Sequence, residues 1–368
     1  MNNPFIRNNH LKRLASLNQV MLYDSPTVSI KRGLIGTSFI ELLSAESIIN
    51  AIKENGALKS IVHGLHDYEL PRILNADLIY HEDPRIRTAA QRIIEEYAAH
   101  LVLLFQLLFL GEREAQEIRE NWRPEHWAYW KRIKTIVLAG GLVQGALAAH
   151  IDHAFTTAFP DKFLVLADKS GLLPLLGVSR TINLTAGNIL AFDFGHSYVK
   201  IGHLSVAANT IQSVVLKKTI MAPREGSIAD SQKNIRKEDL LNFFHGTIKQ
   251  ALTEYVDEKG SGNLNISISI ANYLDDYDVI DRGMYGLLAD QHSSLNLKER
   301  LREEIQNEGF DVEHLEIMHD GTSAALCFNE REDACLVVLG SAIGVGFPLD
   351  LAPLLALDPT ALEVIQCE

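Results

Sequence analysis

The sequence predicts an α/β protein with a mixed sheet in each half. Strand-like aliphatic runs alternate with segments of helical period, glycine turns follow several of those runs, and 368 residues leave room for two or three domains of about 150 residues. At 47% hydrophobic and 22% charged, the chain is neither disordered, collagenous nor a disulfide scaffold. The formal charge is −13, from 34 Lys and Arg against 47 Asp and Glu, with no long basic block. No nucleic-acid partner is therefore expected, although a buried anion pocket stays open. Cys327, Cys335 and Cys367 are odd in number and lack CxxC spacing, so they read as free thiols in a reducing compartment and no structural zinc is expected.

Residues 1–30 show little periodicity and read as an irregular arm. Arg7, Lys12 and Arg13 precede the first acid, Asp24, which leaves a transit-peptide reading open beside the expected cytoplasmic location. From Ser38, the positions Ile40, Leu42, Leu43, Ile48, Ile49 and Ile52 predict a helix that stops at Gly56. Asp83-Pro84 opens a second, with Ala89, Ile93, Ile94, Tyr97, Leu101, Leu104 and Leu108 on one face. Its most apolar part, 98–110, is shorter than the ~20 residues that span a bilayer, so it reads as a core helix and no membrane partner is expected. Between 110 and 134, Trp122, Trp127 and Trp130 predict a short helix whose aromatics cover the core. Thr135–Ala139 is a strand, Gly140-Gly141 breaks it, and 143–159 is helical. Ile189–Asp193 and Val199–Leu204 read as a hairpin with Ser213–Leu216 as a third strand. Helices over 238–256 and 297–309 and strands over 265–270 and 336–339 complete the pattern, with a seam at 180–188 between a helical and a strand-rich half.

Four turns can carry chemistry. Asp193-Phe-Gly195-His-Ser197-Tyr-Val-Lys200 puts an acid at a strand end before a tight turn, where a carboxylate can organise Mg²⁺ and amides can meet phosphate oxygens; it can equally be a plain hairpin turn. His319-Asp320-Gly321-Thr322 places an acid before a run of small residues, suited either to accept a substrate proton or to cap a helix. Gly340-Ser341-Ala342-Ile343-Gly344 brings backbone amides close to a phosphate, and Gly140-Gly141 lets a flat base lie on the backbone; close packing explains both as well. Neither the P-loop nor the GxGxxG fingerprint is present.

As a set, the four resemble the actin/hexokinase superfamily. Asp193–Gly202 is similar to its first phosphate motif DxGGTxxKxG, the Asp320 segment to the catalytic-aspartate motif of its sugar kinases, and Leu339–Gly346 to the second phosphate loop LGTGIGGG. Ile136–Leu142, with the helix from Asp83-Pro84 before it and 167–173 after it, is similar to the adenosine motif. The nearest subgroup is the ROK family of sugar kinases. Its order is restored by reading 187–368 before 1–186, which implies a circular permutation at an exposed loop.

The resemblance implies a two-domain actin-like (ribonuclease H-like) fold with mixed sheets flanked by helices, with 1–186 and 319–368 in a larger nucleotide-binding domain and 187–318 in a smaller one. It implies an ATP- and Mg²⁺-dependent kinase acting on a hydroxyl of a sugar or small polyol, in a cleft between the domains. Asp320 is then the base, and Asp193 holds Mg²⁺ through water. Gly195, Ser197, Lys200, Gly340, Ser341 and Gly344 hold phosphates, Gly140 and Gly141 line the adenosine pocket, and Glu41 and His319 meet the acceptor. A homodimer is left open. His196 stands at a motif glycine, Ser197 at a threonine and Ala342 at a loop glycine, and the family's zinc motif and Glu-x-Gly-His signature are missing. Those departures motivate the alternative, a weak or inactive sugar- or nucleotide-binding sensor of the same fold.

Overall fold

The computed structural model describes residues 3–167, 170–223, 235–260, 262–280, 283–290, 292–351 and 353–358. Cys367, and Asp168 and Lys169 of the segment 167–173, lie outside the described residues. The protein is mixed α/β, with mixed sheets flanked by helices.

Where an irregular arm was expected, β1 (Ile6–Arg7) and β2 (His10–Leu11) close a small hairpin on Asn8 and Asn9, both at positive φ, which asparagine tolerates. The helix expected from Ser38 to Gly56 is two, α1 (Phe39–Leu43) and α2 (Ala45–Glu54). Ser44 separates them with extended backbone, and the Ser47 hydroxyl donates to the Ser44 carbonyl at 2.7 Å. After α3 (Leu70–Ala76) comes α4 (Pro84–Leu110), started by the Asp83 carboxylate accepting the Arg85 amide at 2.8 Å and stopped by Gly111 in the left-handed region. Among the described residues, α4 is the one helix long and apolar enough to cross a membrane, an extent that the count over 98–110 understated. Half of its most apolar window is buried inside the protein: Tyr97 donates to the Leu43 carbonyl at 2.6 Å, and Phe105 packs edge-on to Phe155.

Two helices, α5 (Arg113–Ile118) and α6 (Pro124–Arg132), occupy the tryptophan-rich segment. Trp122, Trp127 and Trp130 are all buried, with Phe5 edge-on to Trp122 at 5.1 Å. Then follow β3 (Thr135–Ala139), α7 (Gly145–Ala158), β4 (Phe163–Leu166) and α8 (Leu173–Ser179). The hairpin strands are longer than their apolar cores, as β5 (Gly187–Phe194), β6 (Tyr198–Ala207) and β7 (Thr210–Met221). Next come α9 (Lys237–Lys259), β8 (Leu264–Ile270), the two-residue strands β9 (Leu274–Asp275) and β10 (Asp278–Val279), and α10 (Leu297–Asn307). The chain closes with β11 (Val312–His319), α11 (Asp320–Ala325), β12 (Ala334–Leu339), β13 (Ile343–Gly346) and β14 (Ala356–Leu357).

These elements form two compact units. The first holds Met1–Phe5, Leu14–Gly171 and Arg331–Val345, around a sheet of order β13-β12-β3-β4 in which β12, β3 and β4 are parallel. The second holds Ile6–Arg13, Leu172–Glu330 and Gly346–Glu368, around the order β11-β8-β5-β6-β7-β14. There β5, β6 and β7 are antiparallel, while β8 and β11 join β5 in parallel. Each sheet thus joins strands linked by a tight turn, β12 and β13 in the first and β5, β6 and β7 in the second, to two strands that run parallel to one of them.

Residue alternation sorts the second sheet into two cores. Phe192, Phe194, Ile266, Ile268 and Ile270 face α9 and α10 with Phe244, Ile248 and Leu301, whereas Ile189 and Ala191 share a cluster with Leu175 and Leu176 of α8. The polar face of β8 is not wet. Every residue of the strand is buried, and Ser267 Oγ lies 2.7 Å from Ser179 Oγ of α8, a pairing that short hydroxyl side chains permit.

The domain boundaries drawn from sequence need correction. Segments 6–13, 172–186, 319–330 and the chain from Gly346 onward, expected in the larger domain, belong to the second unit. Arg180 is the physical reason for 172–186: it is buried, and its guanidinium donates to the carbonyls of Leu355 and Leu326 and to Glu330, which anchors the start of 180–188 in the second unit. Asp320 joins the second unit because β11 pairs with β8.

Candidate functional site

In the second unit, β5, β8 and β11 run parallel and in register, so Asp193, Ser269 and Met318 form one row and Phe194, Ile270 and His319 the next. Asp193 and Asp320 consequently stand at the same, carboxyl ends of these strands, where open α/β sheets hold their ligands. Asp193 is 3% exposed; its Oδ2 accepts Lys200 Nζ at 2.9 Å from the neighbouring strand, and its Oδ1 accepts the Ser269 hydroxyl at 3.2 Å. Burial pushes the Asp193 carboxyl up from its ordinary value of 3.8; Lys200 opposes this, and the nearby Asp320 adds to it.

The turn after Asp193 is held from both sides. Gly195 N–H donates to the Tyr198 carbonyl at 3.1 Å, and the buried Tyr285 hydroxyl donates to the Gly195 carbonyl at 3.0 Å. Burial first, and then the charges of Asp193 and Asp320, push the Tyr285 hydroxyl up, so it stays protonated as a donor. Ser197 is partly exposed in this turn and His196 is exposed. Lys200 is tied to Asp193, and the phosphate contact assigned to it requires exchange of that partner.

Asp320 opens α11, with its side chain 34% exposed and Oδ1 accepting the Gly321 amide at 2.7 Å. His319 is buried beside it, stacked on Tyr273 with ring centroids 4.6 Å apart. Burial holds its imidazole below the ordinary 6.5, Asp320 pulls the other way, and His196 adds to the lowering. Gly177, in the middle of α8, keeps α11 in place, since a Cβ there would overlap the Ser323 carbonyl.

In the first unit, the parallel strands β12 and β3 bring the Gly340 and Gly140 turns side by side. Gly140 has φ +104°, and a Cβ on it would overlap the backbone of Leu339. Gly141 is exposed, with nothing within 4 Å of the space a Cβ would fill. The Gly340 carbonyl accepts the Ala45 amide at 2.7 Å, and the Asn18 side chain accepts the Ile343 amide at 2.8 Å; Ser341 is exposed between them and Gly344 packs on Val338.

Glu41 is exposed on α1, and its carboxylate accepts the Ser38 amide at 2.8 Å and the Ser38 hydroxyl. Those bonds, the hydroxyl first, hold its pKa below the ordinary value, as in a capping box at a helix start. Sequence reasoning missed Ser269, Tyr273, Tyr285 and Gly177. Only Gly177 carried a local signal, because glycine inside a helix costs about 1 kcal/mol against alanine and implies a packing reason. Among the described residues, no group of three or more His, Cys, Asp or Glu side chains is arranged to hold a metal ion. The chain matches no protein-family model, and no curated protein is significantly similar to it.

Proposed function

We propose that this chain is an ATP-dependent phosphotransferase of the actin-like architecture, circularly permuted, acting on a hydroxyl of a sugar or similar small polyol. The observation that carries the reading is the pair of carboxylates Asp193 and Asp320, at the same end of one sheet and close enough for the charge of one to press on the other. The two sheets add support. Each joins a tight-turn pair to parallel crossover strands, an arrangement compatible with the permuted motif order in which 187–368 is read before 1–186.

Asp193 suits a cation held through water, because a carboxylate destabilised by burial and by a like charge gains from added positive charge. Magnesium bound there would supply charge neutralisation on the phosphates. Gly195 and Ser197 of the β5–β6 turn, and Lys200 after changing partner, would contact phosphate oxygens; in the first unit, Gly340, Ser341 and Gly344 are the residues that the resemblance gives to phosphates, and Gly140 and Gly141 those it gives to adenosine. Asp320 would accept the acceptor's proton as that oxygen bonds to the γ-phosphorus, while the bond from the γ-phosphorus to the β-phosphate oxygen breaks and ADP leaves.

The sensor reading keeps one specific observation in its favour, the closed Asp193–Lys200 pair. Calorimetry with Mg-ATP, followed by coupled ADP release over a panel of sugars and polyols, separates the two. Acceptor-stimulated ADP supports the kinase, binding without it supports the sensor, and absence of nucleotide binding removes both.

A further inference from the structure

Asp320 does not stand alone at the end of β11. His319, 7% exposed, places Nδ1 3.2 Å from both the Thr322 amide and the Thr322 hydroxyl. The amide can only donate, so Nδ1 accepts and the neutral ring carries its proton on Nε2. Nε2 lies 3.2 Å from Asp320 Oδ1, and the stack on Tyr273, with planes 14° apart, fixes the ring in that direction. Oδ1 of Asp320 therefore accepts the Gly321 amide and has the imidazole Nε2 within ion-pair distance, whereas Oδ2 has no hydrogen-bond partner among the described residues.

We infer that His319 is a positioning residue, a neutral imidazole whose Nε2–H holds Oδ1 of Asp320 so that Oδ2 is the oxygen turned to the acceptor hydroxyl. The observed part is the closeness of Nε2 to Oδ1 and the ring's fixed direction; the part concerning the acceptor rests on the phosphotransfer reading. The reverse assignment fails, because a histidine acting as base must turn one nitrogen to the reacting hydroxyl. Both nitrogens of His319 face partners in the protein, and the ring is buried. Contact with the acceptor thus passes from His319, where the family resemblance put it, to Asp320.

The test reads the imidazole nitrogens of ¹⁵N-labelled protein by NMR, in the wild type and in Asp320→Asn, with the His319 signals identified by their loss in His319→Asn. The expected result is the Nε2–H form in the wild type and a displaced Nε2 signal in Asp320→Asn. Kinetics of His319→Phe should show kcat down about 10²-fold, as for a misplaced catalytic group, with KM for Mg-ATP unchanged. His319→Asn should recover part of that loss, since its amide can both accept from Thr322 and donate. An Nδ1–H form, an Nε2 signal indifferent to Asp320, or full kcat in His319→Phe would overturn the inference. A wild type without acceptor-dependent ADP release removes the phosphotransfer reading, and the imidazole signals then decide the dyad by themselves.

Discussion

Lys200 and Asp193 face each other across β6 and β5 in the same register, Nζ 2.9 Å from Oδ2, and the carboxylate is almost completely buried. Lys200→Met strands that charge, which should cost about 3–5 kcal/mol at neutral pH. The sign with pH follows from burial, which raises the folded pKa of Asp193 above its unfolded 3.8. Stability from this group is complete below 3.8 and is lost as pH rises through the folded value; removing Lys200 raises that value further. The deficit of Lys200→Met against wild type should therefore widen between about pH 4 and pH 7. Denaturant midpoints across that range check it, and a constant deficit counts against the pair as described.

Asp320→Asn keeps the shape of the site and removes the proton acceptor. On the proposed chemistry, kcat should fall about 10²–10⁴-fold. Mg-ATP affinity should hold, because Asp320 is not among the phosphate contacts. Coupled ADP release and calorimetry on the same preparation read both quantities. Full turnover in the variant removes Asp320 as base.

The α4, β3, α9, β8 and β12 segments were legible in the sequence because each carries its own period and its own stop, such as Asp83-Pro84 before α4 and Gly140 after β3. What was not legible depends on partners far along the chain. β4 is four residues long, and nothing local distinguishes Phe163–Leu166 from a loop until β3 lies beside it. Arg180 looked like the polar start of a linker; only the carbonyls of Leu355 and Leu326, more than a hundred residues later, make it core. The acids of the site were named from their turns. Ser269 and Tyr285, which hold Asp193 and its turn, sit in segments whose local pattern gives them no role.

Two glycines of similar appearance should behave in opposite ways. Gly177→Ala drives a methyl into the Ser323 carbonyl, so α8 and α11 must separate, and overpacking of this kind costs about 1–3 kcal/mol or more. Gly141→Ala meets nothing and should leave stability within about 0.5 kcal/mol of wild type. If Gly141 lines the adenosine pocket, that second variant should nevertheless bind Mg-ATP more weakly. Urea midpoints and calorimetry separate the outcomes: equal loss of stability in both would contradict the packing described around α8.

Four partly or fully buried histidines give the fold a predicted acid edge. His10, His100, His203 and His319 are all held below 6.5, with burial the largest cause in each, against the pull of neighbouring acids such as Glu96, Glu258 and Asp320. The unfolded chain takes up protons at 6.5 on histidines that the folded chain keeps neutral, so below that pH the unfolded state binds more protons and stability falls as pH falls. Above it these groups contribute no slope. Hydrogen-bonded carboxylates such as Glu41 and Asp83, whose pKa values are lowered from 4.5 and 3.8, destabilise only at lower pH, so the two windows are separable. Denaturant midpoints at about pH 8, 7, 6 and 5 should decline over the last two, the four histidines outweighing the opposite contribution of the single raised carboxyl, Asp193. His319→Asn should lessen the decline by the share of one group, and a midpoint constant down to about pH 5 would mean that these rings are charged in the fold after all.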